Sequence, residues 1–218
     1  MSRSHPFLDP SVAGYLAAHT TGPSPLEQQL IDETGRLAAA GMQIGHPQAR
    51  FMAQLTRLLR PRLAVEIGTF TGYSSLVVGQ ALDPGARLLA CDVSEEWTSV
   101  ARRYWAEAGI DDRIELRIGP AAETLAALPA DTQVDLAFID ADKTGYLTYF
   151  EALLPLLSER GVILVDNVLW GGRIADEDDQ RADTVALRAF NDQVMGDARV
   201  DVALLPIGDG LSMITLRS

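Results

Sequence analysis

The chain has few of the residues that would cross-link it or draw it to polyanions. It contains one cysteine, Cys91, which lies in an apolar run, so an internal disulfide framework and a cysteine metal cluster are both excluded. We expect Cys91 to be a buried side chain. Positive charge is also scarce. The 18 Lys and Arg residues against 30 Asp and Glu give a net charge of -12, which argues against nucleic acid as a partner.

Long hydrophobic runs are missing as well. No apolar stretch approaches the roughly 18 residues that a membrane span needs, and residues 1–5 lack the apolar segment of a signal peptide. We therefore expect a cytoplasmic protein without membrane contact. The histidines His5, His19 and His46 lack the spacing of metal ligands and receive no metal role. A length of 218 residues with 47% hydrophobic content is compatible with one domain.

The first 60 residues have helical patterns. Ser24, Pro25 and Glu27 provide an N-cap, a proline at the first helical position and a capping box, which predicts a helix from residue 25 to about residue 40. Gly41 would end this helix, and Pro47 would begin the next, which ends before residue 61.

From residue 61 onward, short apolar runs alternate with amphipathic segments, as in βαβ units on a parallel sheet. The last two runs are separated by a short glycine-containing loop, which predicts an antiparallel hairpin. A helix with an apolar stripe from Tyr146 to Leu157 is expected, another follows the N-cap Ser94, and a third covers about residues 183–195. The predicted strands are 63–67, 87–92, 113–118, 134–139, 161–165, 200–205 and 211–216.

Charged residues follow two of the buried strands at the point where each strand ends. Asp140, Asp142 and Lys143 come after residues 134–139, and Asp166 and Asn167 come after residues 161–165. Open α/β sheets bind ligands at the carboxyl ends of their strands. If these strands are neighbours, roughly 5 Å apart, Asp140, Asp166 and Asn167 could bind one metal ion of the kind that prefers oxygen ligands. The alternative is that residues 166 and 167 form only a turn that closes the strand.

A glycine-bearing turn, residues 66–75, follows the first strand. Its glycines, Gly68 and Gly72, do not match the G-x-G-x-x-G pattern of dinucleotide folds, and no lysine is placed to bind phosphate. Glu66 ends the first strand, and Asp92 ends the second, where an acidic residue commonly binds ribose hydroxyls. Carboxylates without phosphate-binding groups favour a cationic nucleoside, and S-adenosylmethionine fits that description.

Three segments together resemble motifs of the caffeoyl-CoA and catechol O-methyltransferase family: residues 66–75, 138–143 and 166–170. The resemblance runs from about Met42 to the C-terminus, with the motifs in the same order and spacing. It implies a Rossmann-like class I methyltransferase: a seven-stranded, mostly parallel sheet with an antiparallel last strand, helices on both faces and extra N-terminal helices. It also implies a divalent cation and a homodimer. We expect one O-methyltransferase domain over residues 1–218, with a helical lid (1–60) and an α/β core (61–218).

The resemblance also implies roles for individual residues. The expected metal ligands are Asp140, Asp166 and Asn167, for Mg²⁺ or another divalent cation such as Mn²⁺, Co²⁺ or Ca²⁺. The expected cofactor contacts are Met42, Ile44, Glu66, Gly68, Thr69, Ser74, Asp92, Ala121, Asp140, Asp142 and Tyr149. Residues 42–51 resemble the family's lid segment, except that related chains usually have serine at Gly45, an acidic residue at Pro47 and glycine at Ala49.

The expected activity is metal-dependent methyl transfer from S-adenosylmethionine to a small-molecule hydroxyl. Lys143 and Asp140 are the catalytic candidates, with Lys143 removing the proton or steadying the anion, and Lys143 and Trp170 would contact the substrate. A surface lysine and a core tryptophan are the simpler alternatives for these two residues. The acceptor is a catechol-type diol, a CoA ester, or a macrolide or carrier-bound hydroxyl. Two other functions stay open: a nucleotide-dependent oxidoreductase on a related sheet and a non-catalytic cofactor-binding protein.

Overall fold

The computed structural model describes residues 8–217, so the expectations for His5 and residues 1–5 lie outside the described part of the chain. Most predicted elements are confirmed, five of the seven strands with the expected bounds. The α-helices are α1 Pro10–Ala18, α2 Pro25–Thr34, α3 His46–Leu59, α4 Tyr73–Ala81, α5 Glu95–Glu107, α6 Ala121–Ala126, α7 Tyr146–Leu153 and α8 Ala182–Gly196. The strands are β1 Leu63–Ile67, β2 Arg87–Asp92, β3 Ile114–Ile118, β4 Val134–Ile139, β5 Leu157–Val165, β6 Val200–Leu205 and β7 Leu211–Leu216.

The seven strands form one sheet in the order β3-β2-β1-β4-β5-β7-β6. Neighbouring strands are parallel except that β7 runs antiparallel to both β5 and β6. The predicted sheet, with its antiparallel last strand, is therefore confirmed. The chain order reverses between β1 and β4, and ligands of open α/β sheets bind at such a reversal.

Two hydrophobic cores lie on opposite faces of the sheet. Successive strand residues point to opposite faces, so in β1 Ala64 joins one core and Val65 the other. Side chains of α2 to α5, including the buried Trp105, cover the first face, and side chains of α6 to α8 cover the second. Cys91 is completely buried in the second core, as expected. Among residues 8–217, no helix has the length and apolar character to cross a bilayer.

Helix α2 is shorter than predicted, because it ends at Thr34 and not near residue 40. The Thr34 hydroxyl donates to the Thr71 hydroxyl at 2.8 Å, and both residues are buried. The next residue, Gly35, has low helix propensity, and tighter turns follow it up to a 3₁₀ turn at Ala40–Met42. The predicted stop at Gly41 is thus wrong, since a tertiary hydrogen bond fixes the end of the helix earlier.

The boundary between α7 and β5 also differs from the prediction. The helix ends at Leu153, a 3₁₀ turn covers Leu154–Leu156, and Leu157 already belongs to β5. Pro155 has no backbone N–H and cannot extend the helix. Leu157 pairs with Val134 of β4 across an irregularity in the ladder, which makes β5 four residues longer at its start than the apolar run from residue 161 indicated.

The two glycines of the turn after β1 are required by protein packing. Gly68 has φ +93°, and a Cβ there would lie 2.2 Å from the backbone oxygen of Asp140. Gly72 has φ +86°, and its Cβ would lie 2.5 Å from the Cβ of Ala101 on α5. Glycines in such a turn also let the backbone approach a ligand closely. What the glycines demonstrably allow is close approach of the turn to β4 and of α4 to α5.

Replacing Gly72 tests this packing, and Gly85 provides a matched control. Gly85 has the same φ of +86°, but no heavy atom lies within 4 Å of its Cβ position. We expect Gly85→Ala to lower the free energy of unfolding by about 1–2 kcal/mol through backbone strain alone. Gly72→Ala should lose about 1–3 kcal/mol more because the methyl group overpacks the helix contact. Urea denaturation measures both values, and equal losses would show that packing at Gly72 is unimportant.

Candidate active site

A hydrogen-bonded chain joins the ends of β4 and β5. The Lys143 Nζ donates to Asp140 Oδ1 at 3.0 Å and to the Tyr146 hydroxyl at 2.7 Å. That hydroxyl in turn donates to the backbone oxygen of Asp166 at 3.0 Å. The strands are hydrogen-bonded neighbours, with Ile139 paired to Val165, so the expected adjacency of the two strand ends is confirmed.

Tyr146 was expected only as part of the core stripe of α7. It is fully buried, yet its hydroxyl is the bridge between the two strand ends. A buried tyrosine hydroxyl needs a partner, and this one lies three residues after Lys143, within one helical turn. That spacing is the signal by which the sequence could have revealed it.

The carboxylates of Asp140 and Asp166 lie close enough for their charges to interact; Asp166 is buried and Asp140 is mostly buried, with 14% of its side chain exposed. Burial raises the pKa of Asp140, and Lys143 partly offsets this effect. Burial and the charge of Asp140 raise the pKa of Asp166 to about 7. Two neighbouring carboxyls with one nearby ammonium leave the site short of positive charge.

This donor set fits a hard divalent cation. Asn167 follows Asp166 directly, with a left-handed φ of +59° that asparagine tolerates better than most residues. Within residues 8–217, no group of three or more His, Cys, Asp or Glu side chains is arranged to hold a metal. The expected ligands are instead two carboxylates and one carboxamide. All three donate oxygen, which is the ligand that Mg²⁺ and Ca²⁺ prefer.

Gln48 of α3 contacts the same cluster and was not predicted from the sequence. Its side chain is 2% exposed and lowers the pKa of the Asp166 carboxyl. A Cβ on Gly208, in the loop between β6 and β7, would lie 2.3 Å from Gln48 Oε1. The N-terminal segment therefore reaches the end of β5 through this amide. A glutamine within an ordinary amphipathic helix gives no sequence signal for such a contact.

The turn after β1 is held by Asp92. Its Oδ2 accepts the backbone N–H groups of Thr69 at 2.9 Å and Phe70 at 2.7 Å, and its Oδ1 accepts the N–H of Ser94 at 2.8 Å. These bonds fix the carboxylate at the end of β2, beside the reversal in strand order. Asp92 therefore orders the turn, in addition to the expected role toward a ribose.

Glu66 lies in β1, next to the reversal in strand order, and has an unpartnered oxygen. It is 2% exposed, and its Oε2 has no hydrogen-bond partner. Burial raises the pKa of Glu66 to about 8, while hydrogen bonding with Ser74, Thr69 and Ser75 acts in the opposite direction. A buried polar atom without a partner at the strand-order reversal is the strongest geometric indication of a bound ligand.

The remaining predicted cofactor residues lie in different environments. Asp142 accepts the Tyr149 hydroxyl at 2.5 Å, so the structure brings these two together. Ile44 is buried in the core on the α3 side, whereas Met42 is 51% exposed at the end of the 3₁₀ turn. Ala121 begins α6 and is buried in the opposite core.

Polar contacts link the N-terminal segment internally and to α4. Arg50 and Glu27 form a largely buried ion pair at 2.6 Å, which joins α3 to α2. The two ring nitrogens of His46 lie 2.8 Å from the Tyr73 hydroxyl and 2.7 Å from the Thr21 carbonyl oxygen. His46 thus has a structural role, in keeping with the absence of a predicted metal role.

Trp170 stands beside the lysine at the entrance. Its backbone is left-handed, with φ +47°, which is strained for a bulky residue. The Lys143 Nζ lies 5.8 Å from the centre of the Trp170 ring, and the guanidinium carbon of Arg173 lies 5.7 Å from it. The Trp170 side chain is partly buried and packs against the second core.

Comparison with known proteins assigns this arrangement to a family. The O-methyltransferase family matches residues 18–217. A probable caffeoyl-CoA O-methyltransferase 2 of Dictyostelium discoideum is 40% identical over 94% of this chain and 91% of its own length. The chain belongs to the O-methyltransferase family. The expected enzyme class, an S-adenosylmethionine-dependent O-methyltransferase, is thereby confirmed, and the oxidoreductase alternative is set aside.

Solved structures give the same result for the fold of this O-methyltransferase. The SAH-bound methyltransferase PaMTH1 of Podospora anserina has a TM-score of 0.87 at 30% identity, with 95% of this chain and 94% of that chain covered. The O-methyltransferase TomG of Streptomyces achromogenes, involved in tomaymycin synthesis and solved with SAM, has a TM-score of 0.86 at 26% identity, covering 100% of both chains.

Neutralising Glu66 should change how stability depends on pH. The unfolded carboxyl titrates near 4.5 and the folded one near 8, so unfolding releases a proton between these values and stability falls as pH rises. Glu66→Gln removes this titration. In ligand-free protein, its stability relative to wild type should increase between pH 5 and pH 8 by an amount on the order of a few kcal/mol. Urea denaturation at several pH values measures the difference.

Asp135→Asn is the control of opposite sign. Burial raises the pKa of Asp135, but hydrogen bonds from Ser158 and from the backbone amides of Arg62 and Leu63 outweigh it and lower the pKa below 3.8. This substitution should destabilise the protein at pH 7, with a smaller effect in acid. A Glu66→Gln enzyme whose stability follows that of wild type at every pH would mean that Glu66 is ionised in the folded protein.

Proposed function

We propose that this enzyme methylates one hydroxyl of a small aromatic vicinal diol, with S-adenosylmethionine as donor and a divalent cation at the ends of β4 and β5. The observation that carries the proposal is the linked pair of strand ends. The Asp140 carboxylate is connected through Lys143 and the Tyr146 hydroxyl to the backbone oxygen of Asp166, at the edge where open sheets bind ligands.

The donor pocket follows the turn after β1. S-adenosylmethionine supplies an electrophilic methyl group, and the chain supplies the groups that hold the molecule. Asp92 and Glu66 suit ribose hydroxyls and an ammonium, and the unpartnered Glu66 Oε2 supports a bound donor at this position. The other proposed contacts are Met42, Ile44, Gly68, Thr69, Ser74, Ala121, Asp140, Asp142 and Tyr149. Binding of SAH by PaMTH1 and of SAM by TomG supports the same choice of donor.

Asp140, Asp166 and Asn167 would hold the cation. A bound divalent cation lowers the pKa of a hydroxyl oxygen that it contacts, which makes that oxygen a nucleophile near neutral pH. Mg²⁺ fits an all-oxygen set, and Mn²⁺, Co²⁺ or Ca²⁺ are further candidates. The unfavourable proximity of the two buried carboxylates supports this assignment, because added positive charge would relieve it.

Lys143 acts on the charge of the acceptor oxygen. Its ammonium is held by Asp140 and by the Tyr146 hydroxyl, so its position is fixed before the acceptor binds. Held there, the side chain steadies a developing oxyanion or, as a neutral amine, takes the proton. Trp170 provides a flat wall for the acceptor ring, and the chain thereby aligns the hydroxyl with the methyl group.

The N-terminal lid, residues 1–60, would cover the carboxyl ends of the strands. Its described contacts support this role, since Gln48 reaches Asp166 and α2 is fixed to the turn through Thr34 and Thr71. A single domain over residues 1–218, a homodimer and a cytoplasmic location remain predictions. A vicinal diol is favoured over an isolated hydroxyl because two adjacent oxygens fill two open positions on a six-coordinate cation.

Removing the cation tests the proposal most directly. With labelled S-adenosylmethionine and a catechol acceptor, EDTA should abolish methyl transfer and added Mg²⁺ should restore it. Asp166→Ala should not recover at ordinary Mg²⁺, because one of three protein ligands is missing. It should still bind S-adenosylmethionine in calorimetry, since Asp166 is assigned to the ion and not to the donor. Full activity in EDTA would exclude a metal role for this cluster.

Replacing Lys143 tests its action on the acceptor. Lys143→Met should reduce the single-turnover rate by about 10²–10⁴-fold while donor affinity stays close to that of wild type, because the lysine acts in the transition state. Lys143→Arg keeps a positive charge but does not readily accept a proton. Recovery of most of the rate in this variant would indicate charge stabilisation, and continued loss would indicate proton transfer. A normal rate in Lys143→Met would remove Lys143 from the mechanism.

A further inference from the structure

Arg173 is placed over the tryptophan wall by the backbone itself. Trp170, Gly171 and Gly172 have φ values of +47°, +62° and +83°, and this left-handed run turns the chain back on itself. The Gly171 N–H donates to Asp209 Oδ1 at 2.6 Å, which fixes the turn to the loop between β6 and β7. As a result, the guanidinium of Arg173 lies over the Trp170 ring, 5.7 Å from its centre.

The other two arginines of this segment have structural partners. Arg181 pairs with Asp179, and Arg188 donates to the backbone oxygens of Ile174 and Asp176. Arg173 is exposed and has neither an ion pair nor a side-chain hydrogen bond with any residue of the described chain. Asp209 lies close enough for its charge to interact with Arg173, and its Oδ1 accepts the Gly171 N–H. The guanidinium is thus an exposed group beside the proposed acceptor wall, with N–H donors available to an anion.

This arrangement is more specific than a solvated surface arginine. The two cationic side chains near the Trp170 ring differ in their surroundings: Lys143 is largely buried and held by Asp140, whereas Arg173 is exposed and has no ion pair within the described residues. An acceptor ring placed beside Trp170 with its hydroxyls toward Lys143 would bring its far substituent near Arg173. The guanidinium supplies positive charge at this point in a chain with a net charge of -12, which favours an anionic substituent there.

We propose that Arg173 selects acceptors that carry a carboxylate on the aromatic ring, through a forked ion pair at the entrance of the site. This inference rests on the proposed function, because it names the substrate class of the same site. Arg173 would contribute to binding of the acceptor and not to the methyl-transfer step. Methyl transfer itself depends on residues at the strand ends that do not contact Arg173.

A matched pair of acceptors tests the proposal: 3,4-dihydroxybenzoate and its neutral amide share the ring and the diol. Wild-type enzyme should prefer the carboxylate in kcat/KM. Arg173→Gln should lower kcat/KM for the carboxylate about three- to fivefold and change the amide less than about 1.5-fold, as expected for one exposed charged pair. Arg173→Lys should recover part of the preference, and high salt should reduce it in wild type.

Arg57→Gln is the control, because it removes the same charge from an exposed position near the end of α3, at the opposite edge of the sheet. It should leave the preference unchanged. Calorimetric binding of both acceptors, with Mg²⁺ and S-adenosylhomocysteine present, provides a readout independent of turnover. A binding preference for the carboxylate that Arg173→Gln abolishes supports the inference even if neither compound is methylated, an outcome that would refute the proposed function. Equal binding of both acceptors by wild type, or equal losses in Arg173→Gln, would overturn it.

Discussion

The register between β4 and β5 is the constraint on which the site depends. Because Ile139 pairs with Val165, the residues that follow them, Asp140 and Asp166, emerge together at one edge of the sheet. Each strand is buried, so its last apolar residue fixes where the polar segment begins. A shift of one residue in this pairing would send one carboxylate to the other face, because side chains alternate along a strand. The chemistry of the site is therefore fixed by hydrophobic packing several residues away.

Specific partners offset the unfavourable proximity of these two carboxylates. Lys143 offsets the charge of Asp140, the backbone N–H of Asn167 donates to Asp166 Oδ1 at 2.7 Å, and Gln48 lowers the pKa of the same carboxyl. Tyr146 links the lysine to the second strand. These partners come from four segments: α3, the turn after β4, the start of α7 and the residues after β5. A change in how α3 or α7 docks on the sheet would therefore alter the surroundings of the carboxylates. The N-terminal segment is coupled to the strand ends in this way.

The sheet and the strand-end residues could be predicted from the sequence, because both depend on local patterns. Apolar runs that stop at charged residues mark buried strands such as Val134–Ile139, and the spacing of Asp140 and Lys143 follows from the chain itself. The contacts of Gln48 and Arg173 could not be predicted in this way, because they depend on how α3 docks and on a left-handed turn at Trp170. Both are tertiary features with no periodic signal, and the early end of α2 at Thr34 has the same origin. For Tyr146, the spacing from Lys143 was a local signal, but the contact of its hydroxyl with the second strand is tertiary.

The residues that determine which acceptor is methylated must lie outside the edge of the sheet. Asp140, Lys143 and Asp166 would be needed for methyl transfer to any diol, so they cannot distinguish one diol from another. The relatives illustrate this separation: a probable caffeoyl-CoA enzyme and an enzyme of tomaymycin synthesis both match nearly the whole chain. What remains free to vary is the rim of the site. Here the rim includes Trp170 and Arg173, and a left-handed turn positions both residues. The hydrogen bond from the Gly171 N–H to Asp209 stabilises this turn. This strained turn is a suitable place for residues that determine specificity, because the turn can change without disturbing the register of β4 and β5.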